Sequence, residues 1–141
     1  MMIVDTHTHI FPDAAAERIL QHTAQQFKVK VYGTGTASDL LAQMDESGVD
    51  HAVIHMVATT PQSVRDINSW LINLREPRFI KFGTVLPFQK DCREELRRLR
   101  DSGISGIKLQ PEVQGFTVDD ATVAYPVYEE LARCGMKVMF H

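Results

Sequence analysis

Two histidines two positions apart, His7 and His9, follow a short apolar run, Met2-Ile3-Val4, and an acid, Asp5. In an extended strand residues i and i+2 point to the same side, so the two imidazoles are expected to project together. Neutral imidazole is the commonest metal ligand among side chains. A pair of them at the C-terminal mouth of a strand supplies one face of a divalent-metal site. The plainer reading is a strand end with two solvated histidines, because a motif this short recurs by chance. What decides between the two is where the chain places His22, His51, His55, His141 and the strand lysine Lys108.

The elements that must do the placing are legible in the apolar spacing. Pro12-Asp13 opens a helix over Ala14–Gln26, with Ala16, Ile19, Leu20 and Thr23 at helical period. His22 lies on it and reads as a surface histidine. Phe27–Tyr32 alternates apolar and basic residues before Gly33-Thr34-Gly35-Thr36, which predicts a small hairpin or an ordered flap. That glycine pair lacks the Lys-Ser/Thr ending of a phosphate loop. Thr36 or Ser38 caps a helix over Asp39–Ser47, and Gly48 stops it. Val49–Val57 is a near-continuous apolar run, as a parallel strand covered on both faces requires. His51 falls at its start. His55, four residues on among apolar neighbours, reads as a hydrogen-bonded structural histidine.

Thr60-Pro61 begins a helix that runs to about Arg75, with Glu76-Pro77 ending it. Phe79–Leu86 is a third strand. Asp91 is the expected N-cap of the next helix, with Glu94 in capping-box position, and the Arg97-Arg98-Leu99-Arg100 run suits the negative end of the helix dipole. Ile104–Pro111 is a fourth strand that carries Lys108, Gln114–Ala121 a polar loop, Pro126–Cys134 a helix closed by Gly135, and Met136–His141 a fifth strand.

Strand and helix alternate throughout, the signature of βαβ units and a parallel sheet. The strands begin near residues 2, 49, 79, 104 and 136, about 33 residues apart on average, against about 31 per unit in a closed barrel of eight. The expected fold class is therefore α/β, of the (β/α)8 TIM-barrel type, with the chain covering about the first five units. In such barrels functional residues sit at strand C-termini, and His7, His9, Lys108 and His141 are all placed there. A doubly wound open sheet is the competing architecture, but no glycine-rich nucleotide loop follows the first strand.

Composition excludes several functions. The chain has 141 residues, a net charge of −3 and 44% hydrophobic residues, which suits a single globular domain. No basic stripe marks a nucleic-acid partner. No apolar run is long enough to span a membrane, and no signal peptide is visible at the N-terminus. Cys92 and Cys134 lie far apart in helical segments and read as core thiols of a cytoplasmic protein.

Val4-Asp5-Thr6-His7-Thr8-His9, Leu40–Asp50, Pro77-Arg78-Phe79, Gly106-Ile107-Lys108-Leu109-Gln110-Pro111 and Gly135–His141 together resemble the amidohydrolase superfamily. The resemblance is to the amidohydrolase-related branch that includes aminocarboxymuconate semialdehyde decarboxylase, and it covers almost the whole chain. It implies a (β/α)8 barrel with a divalent metal, most often zinc. It also implies His7, His9 and His141 as metal ligands and a second role for Asp5 in orienting the turn or a histidine. Lys108 falls where two-metal relatives carry a bridging lysine. Metal ligand, substrate contact and structural lysine all stay open for it, and substrate binding is its candidate functional role. The implied chemistry is hydrolysis of a C–N, ester or lactone bond, or decarboxylation, of a small-molecule substrate.

The superfamily's further histidine after strand six and aspartate after strand eight have no counterpart in five strands. The chain is thus expected to be the N-terminal part of a longer enzyme. Alternatively it pairs with another copy as a homo-oligomer that covers the open edges of its first and fifth strands. A non-catalytic partial barrel, and other His-x-His barrels with phosphoesterase or nuclease activity, are the alternative functions.

Overall fold

In the computed structural model, which describes residues 1–141, strand β1 (Val4–Thr8) leads into helices α1 (Asp13–Phe27) and α2 (Ala37–Ser47). Strand β2 (His51–His55), helix α3 (Pro61–Asn73), strand β3 (Phe79–Thr84), helix α4 (Cys92–Asp101) and strand β4 (Gly106–Leu109) follow. A single helical turn α5 (Pro111–Gln114), helix α6 (Tyr125–Cys134) and strand β5 (Lys137–Phe140) complete the chain. The strands lie in sequence order β1-β2-β3-β4-β5. Pairing is parallel between β1 and β2, β3 and β4, and β4 and β5. Five parallel strands with intervening helices are the α/β architecture expected from the apolar spacing.

The chain divides into two units, Met1–Ile54 and His55–His141, with the boundary inside β2. In the first unit, Ile10, Ala16 and Met44 are buried. Thr36 caps α2 as expected, its hydroxyl accepting the Asp39 amide. Gly48 ends the helix in the left-handed region, φ 70°, and both its own amide and that of Val49 bond to Met44 O. That double closure uses Val49, which is why β2 starts at His51 rather than Val49. No hairpin forms over residues 27–36. Lys28 instead adopts φ 53° as the left-handed cap of α1, which breaks the alternation a strand needs. Downstream, Asp39 accepts the Thr34 amide at 2.6 Å and ties the turn to α2.

The second unit buries Leu96, Leu99, Ile107, Leu109 and Leu131 between its strands and helices. A satellite cluster of Ala58, Val64 and Leu86, with Ile67 against it, lies beyond the strand ends. Thr60 caps α3 reciprocally with Ser63. The capping box expected at Asp91 does not form. The Asp91 carboxylate is engaged instead by Gln89 and, at 3.5 Å, by Arg65. Helices α4 and α6 are joined by Arg97 and Glu130 at 2.7 Å. Strand β4 stops at Leu109, and Pro111, read above as the strand's end, opens the α5 turn.

Candidate metal centre

Strand β1 is irregular where the chemistry lies. Its register with β2 runs Val4 to His51, Asp5 to Ala52, then Thr8 to Ile54. Three steps on β1 therefore match two on β2, which is a bulge, and bulges re-aim side chains. The Asp5 carboxylate accepts the His7 amide at 3.0 Å across the irregularity, and Thr8 Oγ1 donates to Val53 O at 2.9 Å. Asp5 thus shapes the turn that presents the histidines, one of the two orienting roles foreseen for it. Beyond the strand, Ile10 is buried and the Phe11 amide donates to Gly35 O at 2.8 Å, which anchors the exit.

His7 and His9 are exposed, and their rings stand edge to face with centroids 5.2 Å apart. His55, at the C-terminal end of β2, is fully buried. One nitrogen from each of the three lies within 4.8 Å of the others. Two imidazoles on one tetrahedral zinc, with Zn–N near 2.0–2.1 Å, sit about 3.4 Å apart. The trio therefore fits a divalent metal after a closing movement of an ångström or so, and its all-nitrogen donor set suits a first-row transition metal. The chain thus brings together the two histidines expected from the sequence and adds His55, which had been read as structural. The overlooked signal was position: His55 ends β2, and His7 lies one residue from the end of the parallel neighbour β1.

His141 follows β5, is exposed, and donates its amide to Leu109 O at 3.2 Å. His51 stands at the start of β2, opposite Val4, and His22 lies mid-helix on α1. Lys108 is paired in register between Thr84 and Met139. Its side chain is fully buried, and Nζ donates to Phe140 O at 3.2 Å. Burial holds its pKa below the ordinary lysine range, as expected where the charged form is poorly solvated.

Burial pushes the Cys92 thiol up to about 12, so it stays protonated at neutral pH. It lines a cleft of about 290 Å³ together with Lys90, Arg93 and Val127. No helix is long and apolar enough to cross a membrane.

Among curated proteins no sequence matches the chain. Solved structures do match. A 4-oxalomesaconate hydratase from Rhodopseudomonas palustris superposes with a TM-score of 0.68 at 20% identity, covering 99% of this chain and 52% of its own. A probable 2-pyrone-4,6-dicarboxylic acid hydrolase from Acinetobacter baumannii, with citric acid bound, gives 0.60 at 18% identity, covering 100% and 49%. The chain spans about half the length of these proteins. At such identities the likeness shows the fold, and the fold is that of a TIM-type barrel of which this chain carries five β/α units. The family model described as Amidohydrolase matches residues 4–141, and with that match over nearly its whole length the chain belongs to the amidohydrolase family.

Proposed function

We propose that this chain is the ligand-bearing part of a metal-dependent hydrolase acting on a small carboxylated molecule, with zinc as the metal. The observation that carries the reading is the convergence of His7, His9 and His55 to within 4.8 Å at the ends of β1 and β2. Family membership supports it, since amidohydrolases typically use a divalent metal. The substrates named for the two structural relatives are carboxylated acids, which supports the substrate class. Decarboxylation at the same site is the alternative reaction.

A bound divalent metal supplies Lewis-acid chemistry, polarising a substrate oxygen and lowering the pKa of water. The chain's own residues hold and orient. His7 and His9 supply imidazole nitrogens from an exposed strand end, where a substrate has access, while His55 supplies one from a buried position. Asp5 fixes the bulge that aims the first pair. His141 is proposed as a further ligand from the end of β5. Lys108 is proposed as the contact for a substrate carboxylate: an ammonium has three N–H donors, and Phe140 O takes one of them. The general acid and base are proposed to lie on strands six to eight of the complete barrel. Pairing of two copies as a homo-oligomer is the alternative proposal to a longer chain, and light scattering on the purified protein reads it directly.

The test of the metal reading is zinc content after dialysis, for the wild type beside His7→Ala/His9→Ala, His55→Ala and His141→Ala. The expected result is close to one zinc per chain in the wild type and a marked loss in the first two variants. Equal zinc in wild type and His7→Ala/His9→Ala would overturn the assignment.

A further inference from the structure

We propose that Thr84 and Gln114 are positioning residues for His55, acting through the backbone of Ala58. The proposal rests on the metal reading above. Ala58 lies three residues beyond His55 and is fully buried. Both of its backbone polar groups are held by side chains from other elements: its amide donates to Thr84 Oγ1 at 3.2 Å, and its carbonyl accepts from Gln114 Nε2 at 2.9 Å. Buried loop backbone must find partners somewhere. Here the partners are two buried side chains at the ends of β3 and α5, so the segment leaving His55 is pinned on both sides.

Each pin is itself fixed. The second Gln114 N–H donates to Val85 O at 2.9 Å, and Gln114 Oε1 accepts the Gln110 amide at 2.9 Å. One amide therefore clasps the chain just beyond β2, β3 and β4. The backbone of Thr84 is gripped by Asn68 on α3, with Asn68 Oδ1 accepting its amide at 2.9 Å and Asn68 Nδ2 donating to its carbonyl at 2.8 Å. Asn68 Nδ2 also donates to Glu95 Oε1 at 2.7 Å, and Arg98 donates to both Glu95 oxygens. Gly83 makes the close approach possible, because a Cβ there would stand 3.0 Å from Asn68 Oδ1.

Satisfied buried networks of this kind rigidify and specify one arrangement. This one runs from the α4 surface inward and ends on the residue that sets the course of the chain out of His55. Outer partners that orient a metal ligand usually change affinity by about 10- to 100-fold when removed. Thr84 and Gln114 act one step further out, so the lower end of that range applies.

The experiment uses Thr84→Val, which keeps shape and removes the acceptor, Thr84→Ser, which keeps the hydroxyl, and Gln114→Met. Zinc affinity is measured by chelator competition well below each variant's unfolding midpoint. Nuclear magnetic resonance of the metal-free protein reads the order of the His55 ring, with His22 as internal control. The expected result is about tenfold weaker zinc binding in Thr84→Val and Gln114→Met, near-complete rescue in Thr84→Ser, and a loosened His55 ring with His22 unchanged. A merely structural role would lower the unfolding temperature and leave the ring and the affinity alone. Wild-type affinity and an unchanged His55 ring in both Thr84→Val and Gln114→Met overturn the proposal, as does equal loss in Thr84→Val and Thr84→Ser. If Thr84→Val does not fold, Gln114→Met decides. A wild type that binds no zinc sinks the metal reading, and the His55 ring then still reports whether the positioning exists.

Discussion

Replacing Asn68 by leucine, a side chain of similar size without polar atoms, probes the network that braces the end of β3. Asn68 is fully buried and makes three hydrogen bonds, two to the Thr84 backbone and one to the Glu95 carboxylate. The neutral bonds are worth about 1 kcal/mol each and the charged one about 1.5–3 kcal/mol. The leucine recovers some of this through apolar burial, worth at most about 1.5–3 kcal/mol. Against that recovery, the Thr84 amide and carbonyl are left buried and unpaired, at about 1–3 kcal/mol for each such group. Arg98 keeps two bonds to Glu95, so the full cost of an orphaned buried charge does not arise. The net expectation is a loss of at least about 2 kcal/mol, a large share of the roughly 5–15 kcal/mol typical of a folded domain. Urea unfolding followed by the fluorescence of Trp70, the single tryptophan, measures it, with an unchanged slope marking a change in stability alone. Asn68→Asp is expected to cost more than leucine at neutral pH, because it sets a second carboxylate against Glu95. A loss below about 1 kcal/mol for Asn68→Leu would mean that the network does not brace the strand.

Glu130 is held below the ordinary carboxylate range, first by its hydrogen bond to Arg97 and then by Arg133, while burial opposes. Its contribution to stability is therefore complete above about pH 4.5, the ordinary value, and is lost as pH falls through the lower folded value. Glu130→Gln should flatten the acid limb of the stability curve, and an identical limb in both proteins would refute this. Lys108 has the opposite linkage. Burial favours its neutral form, so the wild type is penalised at neutral pH and recovers as pH rises toward the unfolded lysine value. Lys108→Met should be more stable than wild type at pH 7 by a margin that shrinks toward pH 10, while weakening substrate binding. A constant margin would contradict the linkage. Thiol labelling at pH 8 should leave Cys92 unreacted in the folded protein, since burial pushes its thiol up to about 12; rapid labelling of Cys92 would refute it.

Much of the scaffold was legible because its signals are local. Thr60-Pro61 and Gly48 act on the residues beside them, and each stands where the spacing put it. Of the two readings of Phe27–Thr36, a hairpin or an ordered flap, the hairpin does not form, because a left-handed turn at Lys28 that no glycine announces breaks the alternation. The Asp91 capping box gave way to side-chain competition, Gln89 two residues back engaging the carboxylate at 2.5 Å and Arg65 of another helix reaching it at 3.5 Å. The candidate site divides in the same way. His7 and His9 follow from strand periodicity, although a bulge that no periodicity shows adjusts their aim. His55 looked structural because its neighbours in sequence are apolar, and only strand pairing sets it beside the other two. Gln114, read as the start of a polar loop, clasps the chain beyond three strands, a role that depends entirely on contacts distant in sequence.

The central claim, that the ends of β1 and β2 together hold a metal through imidazole nitrogens, is tested most directly by X-ray absorption on the zinc-loaded protein. The expected first shell is dominated by imidazole at about 2.0–2.1 Å and loses nitrogen in His55→Ala. A shell containing sulfur near 2.3 Å, or one unchanged in His55→Ala and His7→Ala/His9→Ala alike, would contradict it.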